Sequence, residues 1–507
     1  MVVLKALFVM PMFCVLIYVD EYVVPLPVIR FPRDRAALLK YPERFFAFVL
    51  SLCRNFANLR SPTVRGVLSS RRVLLRDVRT HDILEHEPDK NRDTILVDLE
   101  VDHDSEEVVS SSDKANSRQD TPVARSTSTV RLFVKFSCGR NFPLLLQGFR
   151  CACEWGLQRE LDFYKGIAPS GILPCPSSVA LAGNFAINRL CLVLDYVDGT
   201  VIPDFRGASL DQAMTVLCTV AVMHGAFWGM NVPSACADTH DGARAVVRIG
   251  KPARTRQGVP PLDIQHEEEL VDAIVTCLDK LNARSGLEYF SFIRPMLDKP
   301  SEPKEFLRLW DAIDRWVTSN QIITTLVHGD CRLGNMIFVG EDRSTVLFSD
   351  FEAINVAPYL WDFVYFTVLC QSPSDRKQRH CALLSAYLAA LDTSALRAST
   401  LRKGTQLASS LTPSTVKREG DPDLLFKILT LVLFFYAYTV ERSGAWVDNG
   451  NTDEDHRHWK ERVDAVIQEL DVAEVCGALG CDTSLLERVK ALELGSTVEN
   501  SRLKKEK

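Results

Sequence analysis

The stretch LVHGDCRLGN, Leu326 to Asn335, sets a histidine, a glycine and an aspartate side by side. An arginine follows the aspartate by two residues and an asparagine by five. An apolar run then leads to Asp350-Phe351-Glu352. Phosphoryl transfer from a nucleotide asks for parts of this kind: a carboxylate to orient an acceptor hydroxyl and take its proton, oxygen ligands for a divalent ion, and cations for the phosphates. Positioning and charge stabilisation do most of that work. Asp330 is the candidate base. Asn335 is far enough along for a turning loop to present its amide oxygen to a metal. Asp350, after the strand-like STVLFS, adds a hard carboxylate. Arg332 could neutralise a phosphate in transfer. His328 could act as a base, or hydrogen-bond the loop backbone and hold its shape.

Two upstream residues complete the set. Lys135 ends the alternating segment STVRLFVKF, where its side chain could reach phosphate. Glu160 lies on the next helical pattern and could pair with that lysine. Each feature alone is ordinary surface chemistry, since a lysine after a strand is usually just solvated. The ordered set carries the argument.

These residues need elements to place them. RRVLLRDV and DTILVDLEV, within 71–101, read as strands. Residues 102–129 are rich in Ser and Asp with few large apolar side chains, and are expected to be a disordered insertion. A helix is expected over 148–165, with Glu154, Leu157, Leu161 and Tyr164 at helical spacing. Pro174 and Pro176 mark a loop. RLCLVLDYVDG is a strand stopped by Asp198-Gly199. LDQAMTVLCTVAVMHGAFWGM is a long helix, and helix and loop continue to about Asn320. Residues 397–423 read as a loop, and helices resume from Leu424 to about Leu492. Strands first and helices after give an α+β layout with two lobes.

HGDCRLGN followed by FSDFEAINVAPYLWDFVYF resembles the aminoglycoside phosphotransferase-like superfamily, with its choline kinase and ecdysteroid kinase-like branches. The shared pattern is His-Gly-Asp, an Asn five after the Asp, a second Asp after the next strand, and a later Asp before an aromatic pair, here Asp362. VMHGAFWG (Val222–Gly229) is similar to the Leu-His-Ala-x-Phe-Trp helix of those proteins. QRELDFYKGI looks like their αC-type helix, and LCLVLDYVDG like the strand entering the interlobe hinge. The resemblance covers Val73 to Leu391 in outline and is specific around 222–229 and 326–366.

It implies a protein-kinase-like fold: a strand-rich N-lobe, a helical C-lobe and a nucleotide cleft between them. It also implies ATP-dependent, Mg²⁺-assisted phosphorylation of a small-molecule hydroxyl. Carried over, Asp330 is the base, Asn335 and Asp350 hold Mg²⁺, and Lys135 contacts the phosphates with Glu160 bracing it. Asp195 lies at the adenine hinge, and Asp362 supports the loop. The implied division is a hydrophobic N-terminal segment (1–45), an N-lobe (46–195), a C-lobe (196–492) and a polar tail (493–507). This sequence departs from the pattern by having no glycine from Val67 to Cys138, where a phosphate-covering loop would sit. A catalytically inactive relative that binds a nucleotide or a partner is therefore the alternative.

The 507 residues are 47% hydrophobic and 24% charged, enough for more than one core. A formal net charge of −6 gives no global basic field, so no nucleic-acid partner is expected. The fifteen cysteines form no CxxC pair and read as reduced thiols of a cytoplasmic protein. There is no His-Arg-Asp or Ala-Pro-Glu of a protein kinase, and no Gly-x-Ser-x-Gly elbow. Cys331 beside His328 on one tight loop is a poor hydrolase pair. Membrane association is expected only through residues 2–19, whose apolar run suits a signal core or short anchor. Leu424–Val440 is also apolar but carries Lys427, and is read as a core helix. The acceptor pocket is expected within 267–320 and beyond Leu391, with Phe290, Trp310 and Trp316 mostly in the core.

Overall fold

The structure, a computed structural model, describes residues 72–80, 92–104, 125–138, 157–184, 189–230, 287, 290, 293–340, 344–403, 421–443 and 453–491. The N-terminal segment, the polar tail and most of 231–292 lie outside the described residues. Among the described residues, those up to Leu157 and from Pro176 to Tyr196 form one unit; Gln158–Cys175 and everything from Val197 onward form a second. The helix carrying Glu160 thus goes with the second unit, not with the strand-rich lobe expected to extend unbroken to residue 195.

The first unit is a five-stranded antiparallel sheet of order β1-β2-β3-β5-β4. Its strands are β1 (Arg72–Thr80), β2 (Arg92–Asp104), β3 (Arg125–Cys138), β4 (Ser178–Asn184) and β5 (Arg189–Asp195). The alternation in β3 decides which face is covered. Leu132 and Val134 are buried while Arg131 is exposed, and Val134 stands opposite the buried Val193 of β5. The Arg131 guanidinium lies 5.2 Å from the centre of the Tyr196 ring. Both ends of the Ser/Asp-rich stretch differ from expectation. β2 and β3 pair in continuous register from Arg92↔Ser137 to Asp104↔Arg125, so residues 102–104 and 125–129 are strand. Two long strands already paired extend the ladder by one residue pair at little further entropic cost, whatever the local composition. Residues 105–124 lie outside the described set.

The second unit is mainly helical. It begins with α1 (Leu157–Gly166) and α2 (Leu210–Ala226). A capping box starts α2: Ser209 Oγ accepts from Gln212 N at 3.2 Å, and Gln212 Oε1 accepts from Ser209 N at 2.9 Å. α3 (Ile293–Leu297) and α4 (Lys304–Ser319) follow. α4 buries Phe306, Leu309, Trp310, Ile313, Trp316 and Val317, a helical stripe that puts its tryptophans in the core. Two antiparallel two-stranded ladders come next. β6 (Thr324–Val327) pairs with β9 (Asn355–Pro358), and β7 (Met336–Val339) pairs with β8 (Thr345–Phe348).

α5 (Trp361–Leu369) is buried on every side. α6 (Pro373–Lys403), α7 (Pro422–Ser443), α8 (Asp453–Glu469), α9 (Val472–Leu479) and α10 (Thr483–Lys490) surround it or pack beyond. α6 runs on through 397–403, which composition had suggested was loop; arginines, serines and threonines there still have workable helix propensity once a long helix is nucleated. α7 is the one helix among the described residues long and apolar enough to span a membrane, but 72% of its most apolar window is buried within the protein. Leu425, Ile428, Leu429, Val432 and Phe435 are all core, as a core helix of this unit requires.

α2 and α6 approach closely at Gly225. A Cβ there would lie 2.5 Å from the Leu391 carbonyl oxygen and 2.6 Å from Ser394 Cβ. Gly225→Ala must push the helices apart, and should cost about 1–3 kcal/mol despite alanine's better helix propensity. Urea unfolding of the variant against the parent measures it.

Candidate functional site

The Asp330 loop hangs from β6 and turns into β7. Gly329 has φ +85°, and a Cβ there would meet the Ala353 carbonyl oxygen at 2.1 Å, so only glycine fits. Asp362, at the start of α5, ties the loop down: Oδ2 accepts from His328 N at 2.7 Å and Oδ1 from Gly329 N at 2.9 Å. Trp361 Nε1 adds a bond to the Gly329 carbonyl at 3.3 Å. His224 Nε2, from α2, reaches Asp362 Oδ2 at 2.9 Å. Burial acts to raise the Asp362 pKa, but the His224 hydrogen bond, the charges of His224 and His328 and the Gly329 N–H together bring it below the ordinary range. His328 is itself fully buried, and its Nε2 bonds the Ser349 carbonyl at 3.0 Å. The imidazole that could have been a base is therefore used to join the loop to the end of β8.

Asp330 is the carboxylate of this loop that reaches solvent, with 26% of its side chain exposed against none for Asp362. Its two oxygens are held differently. Oδ1 accepts from Tyr365 Oη at 2.7 Å. Oδ2 accepts from Asn335 Nδ2 at 2.7 Å and Arg332 Nε at 3.3 Å. Asn335 Nδ2 also donates to the Asp330 carbonyl at 2.9 Å. With its nitrogen turned toward Asp330, the Asn335 amide leaves its oxygen as the atom available to a cation.

Arg332 departs from its expected task. Its Nη1 donates to Asp204 Oδ2 at 2.9 Å, and the guanidinium lies 5.5 Å from the Trp459 ring centre. A guanidinium bridging two carboxylates, Asp204 and Asp330, is committed to holding the loop and to setting the charge beside Asp330. Asp204 accepts from Gly334 N at 3.0 Å as well. Burial raises the Asp204 pKa more than the Arg332 charge and hydrogen bonds lower it. Arg462 of α8 donates to the carbonyls of Asp204, Phe205 and Leu369, fixing the turn that carries Asp204. Cys331, the hydrolase candidate, is fully buried and its pKa is pushed well up by burial first, which keeps it a thiol.

Asp350 follows β8 with φ +61°, an uncommon left-handed conformation for a residue with a side chain. Ser349, just before it, bonds the Asn335 carbonyl through both N (2.9 Å) and Oγ (3.1 Å), so the Asp350 turn sits beside the end of the Asp330 loop. Carboxylate oxygens of Asp350, Glu352 and Glu160 lie within 4.8 Å of one another. Phe351 between them is buried, its ring centre 3.6 Å from that of Phe163 on α1, which couples the turn to the helix carrying Glu160. The metal candidates expected were Asn335 and Asp350; the structure groups Asp350 with two glutamates and bonds Asn335 to Asp330. Lys135 and Asp195 lie in the first unit, on β3 and at the end of β5.

Residues 287–399 match the model of the ecdysteroid kinase-like family. Asp330, Asn335, Asp350 and Asp362 all fall inside the matched stretch; His224, Asp204 and Glu160 lie before it. No curated protein sequence matches the chain. Among solved structures, one named for the aminoglycoside phosphotransferases, from Ralstonia eutropha JMP134, is 12% identical with a TM-score of 0.42, covering 83% of this chain and 98% of its own. A choline/ethanolamine kinase family protein from Mesorhizobium loti is 11% identical (TM-score 0.37; 72% and 90% covered). An ethanolamine kinase from Plasmodium vivax is 8% identical (TM-score 0.38; 86% and 89% covered).

Two residues of the site have no counterpart in the sequence reading. Tyr365 sits three residues after Asp362 on α5, one helical step along the same face, and that spacing was a usable signal. Asp204 had none, since nothing local ties it to a loop more than a hundred residues later.

Two outcomes are expected. Asp204→Asn leaves the partly buried Arg332 underpaired and should cost about 3–5 kcal/mol in urea unfolding. Asp362 has a depressed folded pKa, so its stabilisation is whole above the ordinary aspartate value near 3.8 and is lost as pH falls through the folded value. The urea midpoint of the parent should fall with acidification below about pH 4, and Asp362→Asn should remove that share of the slope.

Proposed function

We propose that the chain is an ATP-dependent phosphotransferase that esterifies a hydroxyl of a small molecule. The observation that carries this reading is the Asp330 carboxylate: about a quarter exposed, fixed on both oxygens, and on a loop whose far end meets the Asp350 turn. A base for an alcohol has to be open to its acceptor yet held at one angle. Tyr365, Asn335 and Arg332 supply the holding. The Asp362 anchor keeps the backbone under it still.

The residues suit a divalent ion. Three carboxylates and the Asn335 amide oxygen are hard donors of the kind Mg²⁺ takes. Asp350, Glu352 and Glu160 would hold it, with Asn335 as a further ligand. Bound Mg²⁺·ATP supplies the phosphoryl group and the charge neutralisation its transfer requires. In this reading Asp330 accepts the acceptor's proton while Arg332 and Tyr365 keep the carboxylate oriented. The assignment of Lys135 and Asp195 to the nucleotide rests on the sequence resemblance. The absence of glycine between Val67 and Cys138 favours a second reading, a nucleotide-binding relative without turnover.

The test is ATP consumption against a panel of hydroxylated small molecules with Mg²⁺, beside thermal unfolding. ATP with Mg²⁺ at a hundredfold over its dissociation constant should add about 2.7 kcal/mol of stability. Asp330→Asn should keep that gain and lose about 10²–10⁴-fold in turnover. Asp350→Ala should lose the Mg²⁺-dependent part of the gain. Stabilisation without turnover on any acceptor selects the second reading; no stabilisation at millimolar ATP defeats both.

A further inference from the structure

Behind the Asp330 loop lies a buried chain of polar groups that the proposed reaction does not use. It runs from the Tyr359 carbonyl through Tyr387 of α6 and His224 of α2 to Asp362 of α5. Tyr387 Oη donates to the Tyr359 carbonyl at 2.5 Å. His224 Nδ1 lies 2.6 Å from Tyr387 Oη, and His224 Nε2 lies 2.9 Å from Asp362 Oδ2. His224, Tyr387 and Asp362 have no exposed surface.

Counting protons along this chain fixes the ring. A phenol has one proton, and a carbonyl oxygen can only accept, so the Tyr387 proton is spent on Tyr359. The side of Tyr387 Oη facing His224 is therefore a lone pair, and Nδ1 must carry a proton to bond it. At the other end, Asp362 Oδ2 already accepts from His328 N, and Oδ1 from Gly329 N. A carboxylate so engaged calls for a third donor, which is Nε2–H. An unprotonated Nδ1, or an unprotonated Nε2 facing an ionised Asp362, would set two lone pairs against each other inside a dry core, the costly case for a buried polar group.

We infer that His224 is a doubly protonated imidazolium that positions the Asp330 loop by holding the Asp362 carboxylate. Among the described residues, the ionisable groups that bond the ring are Asp362 on α5 and Tyr387 on α6, and His328 after β6 shares Asp362 with it. β6 otherwise presents Thr325, whose hydroxyl bonds the His224 carbonyl at 2.7 Å. β8 packs on α2 with no ionisable side chain. The counterion at one end and the hydroxyl lone pair at the other are what hold two protons on a ring with no access to water. The imidazolium then cancels the charge that Asp362 brings into the core, so that Asp362 can stay ionised while gripping two backbone N–H groups of the loop. His224 touches no reacting atom; it acts through Asp362.

The charge state needs no catalytic activity, while the effect on turnover rests on the function proposed above. The full chain, labelled with ¹⁵N-histidine, is measured by long-range ¹H–¹⁵N correlation at neutral pH. His224 is assigned by the signals lost in His224→Gln and cross-checked by those moved in Tyr387→Phe. Two protonated ring nitrogens are expected, and Tyr387→Phe should disturb Nδ1 while leaving Nε2 protonated. One unprotonated nitrogen overturns the inference; if it is Nε2, the proton sits on Asp362. In kinetics, either variant should lower kcat by about a hundredfold with little change in KM for ATP, as a displaced base would. A parent-like kcat in a folded variant overturns the positioning role. If His224→Gln does not fold, Tyr387→Phe carries both measurements. A parent with no turnover defeats the phosphotransferase reading alone, and the ring nitrogens still decide the charge state.

Discussion

The Asp362 carboxylate is the point on which the site depends. It is a charge placed in the middle of a buried helix start, with no water to solvate it. It persists because three donors converge on it: two backbone N–H groups of one loop and an imidazole from another helix. Removing any donor would leave part of a buried charge unpaired, which is among the largest penalties a fold can incur. The same bonds that solvate Asp362 fix His328 and Gly329, and with them the direction in which Asp330 leaves β6.

From that anchor the site is built outward in decreasing burial. Asp362 is sealed, Asn335 and Asp204 are nearly so, Arg332 is partly covered, and Asp330 reaches solvent. Each inner group holds the next. Asp204 pairs Arg332, Arg332 and Asn335 hold one oxygen of Asp330, and Tyr365 holds the other. Such nesting leaves one carboxylate open and immobile, because the conformational freedom it would otherwise lose on engaging an acceptor has been removed by folding. The second cluster, Asp350, Glu352 and Glu160, is placed by a different device. A buried Phe351–Phe163 stack draws the left-handed turn after β8 onto α1, and gathers like charges that a cation would offset.

Much of this was legible in the chain. The spacing of Asp330, Asn335 and Asp350 marked the loop and the turn after the next strand, and the resemblance implied that Asp362 supports the loop. Alternation marked β3, the Asp-Gly stop marked the end of β5's strand, helical periodicity marked α2, and apolar length marked α7 as a core helix. Composition misled at both edges of the Ser/Asp-rich stretch and at the end of α6. There, neighbours already in register or a helix already nucleated outweighed local preference. Chemistry misled at Arg332. A guanidinium near a base reads as a phosphate ligand until the carboxylate it pairs with is known, and Asp204 lies far away in the chain.

The sequence by itself determined which residue types would meet in the loop, because Gly329's left-handed backbone and the five-residue step to Asn335 are local facts. It also determined that α7 would be core, since a helix apolar on nearly every face has to be buried. Only the tertiary structure decided what each polar group does. Whether a histidine is a base or a brace, an arginine a phosphate clamp or a loop tie, a glutamate a lysine's partner or a carboxylate among carboxylates, depends on what stands opposite. In a dry interior most donors and acceptors take the partner that packing brings within hydrogen-bond reach, and those partners come from elements that the chain brings together only on folding.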